Sequence, residues 1–408
     1  MKLALQIAWR NLWRNKRRTL LTASAIMFAV ALLTFSMSMQ NGSYSSMIDN
    51  ATRLLQGHIQ IQNKDYYDSP KMRYTVADSA SVIEKVHSIP QLIVTERASS
   101  FVLASSETQS FGLMLLGVNP NKEQNISNLP KLVKKGRYLE DQNVDEIVIG
   151  HVLAKKLGVD VGEELVLLGT DKEGSLATLI MEVVGIFDSG QNELDRQLAQ
   201  IPLSIFRDNF SLKDESHMLV LSIADVTKTN EVAAQLTDML KSRQDLSVLT
   251  WGELLPGLEQ SIQLDQIGAD LIYFILALVV IFSIVNTFIM TVLERNKEFG
   301  VMLSVGSRPG LIIMMLQIEA LFLCMLGVVL GTILGLVITL YLESVGIGLG
   351  EAGEMMKEFH MPERLYPKVD VYALVASPVL MIIATQFAAI IPALRVLKID
   401  PVKIMRDE

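Results

Sequence analysis

The stretch Glu294–Gly310, ERNKEFGVMLSVGSRPG, is a short charged segment between two long apolar runs, Leu271–Leu293 and Leu311–Leu342. A helix needs about 20 mostly apolar residues to cross the hydrocarbon core of a bilayer, where its backbone must satisfy its own hydrogen bonds. Both runs meet that length, as do Thr19–Met39 and Val371–Leu394. The fold class read from this pattern is an α-helical membrane protein with four transmembrane helices and a large mixed α/β extracytoplasmic domain inserted between the first and second. The third run exceeds one crossing, which predicts tilt or projection beyond the membrane and disfavours the alternative of a buried soluble helix.

Composition agrees. Of 408 residues, 50% are hydrophobic and 20% charged, and the mean hydropathy of +0.35 is too high for an ordinary soluble enzyme. A net charge of -8 leaves no basic face to neutralise a phosphate backbone, so nucleic acid is not an expected partner. The only cysteine, Cys324, falls inside an apolar run, so neither an intrachain disulfide nor a thiolate metal site can form.

Arg10, Arg14, Lys16, Arg17 and Arg18 precede the first run, and basic flanks are retained on the cytoplasmic side. The N-terminus is therefore expected inside. Arg395, Lys398, Lys403 and Arg406 follow the last run, whereas Glu343–Asp370 is richer in Glu than in Lys or Arg, so both termini are expected in the cytoplasm. A cleavable signal peptide has the same order of basic then apolar residues, but this apolar stretch exceeds the usual core of about 7–15 residues. Trp9 and Trp13 share a helix face at headgroup level. That fits an amphipathic helix lying along the inner surface over residues 1–18, or simple basic anchoring.

More than 200 residues separate the first two spans, enough for a domain with its own core. GHIQIQN alternates strictly, with Ile59 and Ile61 on one face and His58, Gln60 and Gln62 on the other, as in a half-buried strand. DSASVIEKVHSIP reads as a helix with Asp78 or Ser79 near its start and Pro90 beyond its end. FVLASS and FGLMLLGV read as strands, KTNEVAAQLTDMLKSR as a second amphipathic helix between the strands HMLVLSIAD and LSVLT. These β–α–β patterns bracket the domain and predict one split lobe, with a β-rich insertion over about 130–202 where β-branched runs are punctuated by glycines.

No G-x-x-x-x-G-K-[ST] phosphate loop, H-E-x-x-H or G-x-S-x-G motif occurs, so catalysis on this chain is not expected. The five histidines, His58, His87, His151, His217 and His360, are scattered singly and read as surface or strand-face residues, and no metal site is expected. GVDVGEEL lacks the lysine and hydroxyl of a nucleotide loop and reads as a β-turn. Within the spans, Gln317 and Glu319 lie on the cytoplasmic half of the third, and Glu319 reads either as an ion site or as a carboxylate bonded to neighbouring helices. Asn286 is expected to join helices. Gly327, Gly331 and Gly335 recur every fourth residue and expose bare backbone for close helix packing, against either the fourth span or another subunit.

On a helix, Phe299, Met302 and Leu303 of the opening stretch share one face, while Glu294, Lys297 and Glu298 project around it. Gly306 suits the helix end and Pro309 the first turn of the next. Resting in headgroups calls for more basic character than this segment has, so apolar anchors in a protein groove are the better expectation.

AWRNLWRNKRRTLLT, ERNKEFGVMLSVGS, QIEALFLCMLGVVLG and IPALRVLKIDPVKIMRDE together resemble the permease subunits of MacB-like (type VII) ABC transporters, covering all the membrane parts in order. The resemblance implies an inner-membrane protein in which residues 294–308 form a coupling helix that docks on a cytoplasmic ATPase dimer, so Glu294, Arg295, Lys297, Glu298, Gly300, Val301, Leu303 and Gly306 inherit that role. It also implies no cofactor on this chain, with ATP and Mg bound by the separate ATPase, and a second, identical or homologous, permease. The remaining parts are spans over 19–41, 269–293, 309–342 and 371–394, an outside domain over 42–268, an outside loop over 343–370 and an inner tail over 395–408. VVGIFDSGQNELD and VLTWGELLPGLEQSIQLDQIG are similar to the lipoprotein-releasing permeases of the Lol system. That likeness implies release of lipoproteins from the outer leaflet to a periplasmic carrier. Efflux or peptide export, and mechanical signalling to a periplasmic partner, are the alternatives within the family. In the lipoprotein reading Phe35 and Met39 on the first span, with Leu264, Ile267, Leu271 and Phe274 entering the second, either contact lipid tails or pack helices.

Overall fold

The structure is a computed structural model and describes residues 2–90, 92–140, 143–348, 350 and 364–394. The expected inner tail over 395–408, and part of the loop over 343–370, lie outside the described residues. The chain divides into two compact units: one takes in the described parts of Met1–Tyr44, Ser261–Gly348 and Arg364–Glu408, the other Ser45–Gln260.

The N-terminal segment forms helices α1 (Lys2–Arg14) and α2 (Lys16–Ala51). Helix α2 is longer than the expected span because the polar residues after Met39 continue its hydrogen-bonding, and a π-helical turn over Thr52–Gln56 ends it. Gly57 makes that ending possible: its φ is +69°, and a Cβ there would meet Val220 and the Leu221 carbonyl oxygen.

The inserted domain follows in the order β1 (Ile59–Asn63), α3 (Ser79–Val86), β2 (Ile93–Ser105), β3 (Ser110–Val118), α4 (Pro120–Ile126), β4 (Val133–Gly136), β5 (Glu146–Gly150), α5 (His151–Leu157), β6 (Glu164–Thr170), β7 (Leu176–Phe187), α6 (Asn192–Gln197), β8 (Leu198–Pro202), α7 (Leu203–Asn209), β9 (Met218–Ser222), α8 (Thr229–Met239), β10 (Leu246–Thr250) and α9 (Trp251–Leu254). The strand order β10-β1-β9-β2 is antiparallel throughout, so β1–α3–β2 and β9–α8–β10 are two interleaved split βαβ units, the ferredoxin-like arrangement. Ile59, Ile61, Val82, Leu219, Leu221 and Leu236 form its core. The β–α–β patterns expected at both ends of the domain are these two units.

The insertion differs from a separate subdomain. Strand β2 pairs with β9 through Ile93–Arg97 and with β6 through Leu103–Ser105, and β3 pairs with β8, so a single ten-stranded sheet runs through lobe and insertion. A second core beneath it gathers Val102, Leu115, Ile149, Leu179, Phe206 and Phe210. Strand β1 also departs from expectation. His58, Gln60 and Gln62 are buried along with Ile59 and Ile61, because residues including Leu55, Tyr66, Tyr67 and Leu254 stand over the glutamine face. Its glutamine face borders a cavity of about 230 Å³ whose walls include Gln56, Tyr66, Met114 and Leu254. Below the sheet a wholly buried ion pair, Arg97 with Glu123 at 2.5 Å, joins β2 to α4, and Arg97 also donates to the Leu55 carbonyl.

The chain then forms α10 (Pro256–Glu294), α11 (Asn296–Ser304), α12 (Pro309–Val345) and α13 (Val371–Leu394). Four helices are long and apolar enough to cross a membrane: α2, with the turn that ends it, α10, α12 and α13. Their shared core holds Ile26, Val30, Ile284, Phe288, Cys324 and Met381. Phe28, Phe282, Val337 and Phe387 point outward and are exposed, the surface a bilayer solvates. Helix α13 carries Pro378 and Pro392 internally, which membrane helices tolerate when neighbours satisfy the freed carbonyls.

Candidate functional site

The segment that opened the sequence reading folds as α11, closed by Gly306 in the left-handed region at φ +94°, with the Gly306 amide donating to Leu303 and the Ser307 amide to Met302. Pro309 occupies the first turn of α12. Charged contacts tie α11 and the two residues before it to the bundle. Arg295 lies between two carboxylates, its Nη1 3.0 Å from Glu319 Oε2 on α12 and its Nε 3.0 Å from Glu298 Oε2 one turn along α11. The guanidinium also stacks over the Phe299 ring at 5.1 Å. Arg14 at the end of α1 reaches Glu298 Oε1 at 2.7 Å. Arg18 in α2 forks onto Glu294 at 2.6 and 2.8 Å, with a third contact to Thr291 Oγ1 at 3.2 Å.

These contacts link the segment to α1, α2 and α12. The Glu298 carboxyl is held below the usual carboxylate range, by its hydrogen bond to Arg14 and then by Arg295, and the same bond raises Arg14. Arg295 and Glu319 are both nearly inaccessible. A buried pair of this kind adds little net stability over a well-packed apolar pair, but removing one partner strands a charge in a low-dielectric site. The start of α11 is thus tied to α12 and α1, and the last residue of α10 to α2.

The structure divides the expected coupling residues. Glu294, Lys297, Glu298, Val301 and Gly306 are exposed, Leu303 is half-buried, and Arg295 and Gly300 are buried. Phe299, Met302 and Leu303 do not await a partner's groove. They pack into the chain's own cluster with Val292, Ile312, Met315 and Ala393, because the tight turn at Gly306 folds α11 back on α12. The face left open is Lys297, Val301 and Val305.

Elsewhere in the helical unit the glycine stripe packs against the first span, not against the fourth span or another subunit as expected. Cβ atoms on Gly327, Gly331 and Gly335 would lie 2.7 Å from Ile26 Cβ, 2.6 Å from the Met27 carbonyl oxygen and 3.0 Å from Thr34 Cβ. Phe35 and Met39 are half-buried, while Leu264, Ile267, Leu271 and Phe274 are exposed and form an apolar stripe down α10. Asn286, expected between helices, is instead exposed on α10, since Ile284 and Phe288 take the inward positions of that turn. Glu319 meets the structural expectation through Arg295, and Gln317 Nε2 is buried without a partner. Trp9 and Trp13 meet edge to face at 6.1 Å, half exposed, and Trp9 also meets Phe322 at 5.7 Å.

Sequence reasoning missed Arg14, Arg18 and Thr291 as partners of this site. Both arginines stand in the basic flank before the first span, but nothing local ties them to residues nearly three hundred positions later. The histidines also need correction: His58 and His217 are buried, not surface residues.

Residues 271–401 match the family described as FtsX-like permease C-terminal, and residues 19–239, more than half of the chain, match the MacB-like periplasmic core domain. The chain belongs to the MacB-like permease family. Among its relatives is the lipoprotein-releasing system transmembrane protein LolC of Xylella fastidiosa, 25% identical over 72% of this chain and 73% of that one. The pyoverdine export ATP-binding/permease protein PvdT of Pseudomonas entomophila is 23% identical over 99% of this chain and 60% of that one. The macrolide export ATP-binding/permease protein MacB of Nitrobacter winogradskyi is 25% identical over 82% of this chain and 52% of that one. Among solved structures, the periplasmic region of MacB from Actinobacillus actinomycetemcomitans aligns with a TM-score of 0.38 at 16% identity, over 50% of this chain and 92% of that one. The chain is thus an ABC-type permease of the LolC and MacB family, with four apolar helices and the family's α/β domain between the first and second.

Proposed function

We propose that this permease releases lipoproteins from the outer leaflet of the inner membrane, driven by ATP that a separate cytoplasmic ATPase dimer hydrolyses with Mg. The observation that carries the reading is the match to LolC, which spans nearly three quarters of both chains. In this reading both termini and α11 lie in the cytoplasm, and the open face Lys297, Val301 and Val305 is what the ATPase engages. Closure of the ATPase tilts α11, and the Arg295–Glu319 pair passes that movement to α12. A second permease completes the path, and acyl chains leave the bilayer laterally along Leu264, Ile267, Leu271 and Phe274. Each methylene taken from the membrane costs about 0.8 kcal/mol, so release requires both ATP and a receiving periplasmic carrier.

Export of a small amphiphile is the second reading, favoured by the match to PvdT over 99% of this chain. One experiment separates the two. The permease is purified with its ATPase, co-purifying molecules are identified by mass spectrometry, and ATPase stimulation is measured with triacylated protein and with small amphiphiles. Retention of acylated protein, with stimulation by it alone, supports lipoprotein release. Stimulation only by the small amphiphile overturns it.

A further inference from the structure

The geometry points to a divalent transition-metal site in the inserted domain, built by His151, Asp188 and Asp195 and independent of the transport reading. Strands β5 and β7 are parallel neighbours with Gly150 opposite Phe187. The residues immediately after that pair, His151 and Asp188, therefore leave the sheet at the same edge. Helix α6 brings Asp195 over them, and the approach is close: a Cβ on Gly150 would lie 2.6 Å from the Asp195 Cα. Three donor atoms converge as a result. His151 Nδ1 is 2.9 Å from Asp195 Oδ2 and 3.5 Å from Asp188 Oδ1, and all three lie within 4.8 Å of one another.

Two features separate this cluster from an ordinary surface ion pair. Asp195 is wholly buried, and among the described residues no lysine or arginine pairs with it. The Ser189 hydroxyl donates to its Oδ1 at 2.6 Å and the Ser189 amide is shared between Oδ1 at 3.1 Å and Oδ2 at 3.2 Å, which holds the carboxylate still with Oδ2 beside the imidazole. His151 Nδ1 is itself buried and makes no aligned hydrogen bond, although a carboxylate oxygen stands 2.9 Å away. A nitrogen lone pair aimed between two carboxylates is satisfied by a cation. Donor atoms about 2.1 Å from one ion stand roughly 3.0–3.4 Å apart at octahedral or tetrahedral angles, and the two His151 separations, 2.9 and 3.5 Å, lie just outside either end of that range. One imidazole with two carboxylates favours zinc or manganese over calcium or magnesium. The half-exposed sides of His151 and Asp188 leave room for water to complete the shell.

Bound metal would staple the β5–α5 corner to the β7–α6 loop, and thus hold the outer half of the ten-stranded sheet. The test uses the full chain in nanodiscs, stripped with EDTA, titrated with zinc chloride by calorimetry and followed by thermal unfolding. About one zinc per chain is expected, with a raised unfolding temperature; His151→Gln and Asp188→Asn each weaken zinc affinity by at least about tenfold. Both side chains are two-fifths exposed, so in EDTA the variants should unfold with the parent. If either variant fails to fold, the other decides. Absence of zinc binding by the parent, or equal affinity in parent and variant, overturns the site and leaves a plain histidine–aspartate contact.

Discussion

Arg295 Nη1, immediately before α11, lies 3.0 Å from Glu319 Oε2 on α12, and both side chains are buried. Among the described charged contacts around α11 it is the one shielded on both sides from water, so it holds where the exposed Arg14–Glu298 and Arg18–Glu294 bridges are screened. Arg295→Ala strands the Glu319 carboxylate and should destabilise the helical unit by about 3–5 kcal/mol, while Arg295→Met with Glu319→Leu recovers most of that loss. Thermal unfolding in detergent reads stability. ATPase activity compared with cargo movement reads coupling, which the double variant should still lack. A double variant with full coupling would remove the pair from the transmission path.

Gly331 gives a second expectation. Its Cβ would stand 2.6 Å from the Met27 carbonyl oxygen and 2.8 Å from Val30 Cβ, so Gly331→Val must push α12 off α2 at a cost of about 1–3 kcal/mol. Gly310, with open space around it, should accept alanine with little change. Cysteine crosslinking between α2 and α12 checks the separation, and unchanged crosslinking in Gly331→Val would refute the packing assigned to the stripe.

A pH dependence follows from His217. The ring is buried, accepts a hydrogen bond from the Ser99 amide at Nδ1 (3.0 Å), lies 3.2 Å from the Met72 carbonyl at Nε2 and stacks on Tyr66. Burial lowers its pKa to about 4, with the carbonyl and Glu215 opposing and Lys172 assisting. Between about 6.5 and 4 the unfolded chain takes up a proton that the folded chain refuses. Stability from this residue is therefore complete above about pH 6.5 and declines as pH falls, by roughly 3 kcal/mol at pH 4. Unfolding midpoints recorded from pH 7.5 to 4.5 should drop more steeply in the parent than in His217→Gln. Parallel curves would assign the acid sensitivity to other groups.

Phe274 offers a test of the proposed lipid contact along α10. It is exposed on α10, so Phe274→Ser removes little packing from the chain itself. Assembly with the ATPase should survive while lipoprotein release falls several-fold. Loss of assembly in parallel with release would instead place Phe274 in a subunit contact.

Much of the architecture was legible because its determinants are local. A span must satisfy its backbone internally and bury about 20 apolar residues, so α10, α12 and α13 stand in the sequence as unbroken runs. Gly306 and Pro309 mark the turn after α11 for equally local reasons, one free to take positive φ and the other already set for a helix start. The two βαβ patterns were readable from periodicity alone.

Tertiary structure decided what each element faces. An amphipathic α11 fits a partner's groove or its own bundle equally well, and only the fold-back at Gly306 sends Phe299 inward and leaves Val301 and Val305 open. The glycine stripe demands a close neighbour without naming it, and α2 supplies it. Strand β1 alternates like a half-buried strand, yet its glutamine face is buried as well. His151 reads as a lone histidine until β5 and β7 pair. Length, periodicity and helix ends depend on a few neighbouring residues, and so sequence sets them; facing, partner choice and charge pairing arise between residues tens to hundreds of positions apart, and only the packed chain brings those together.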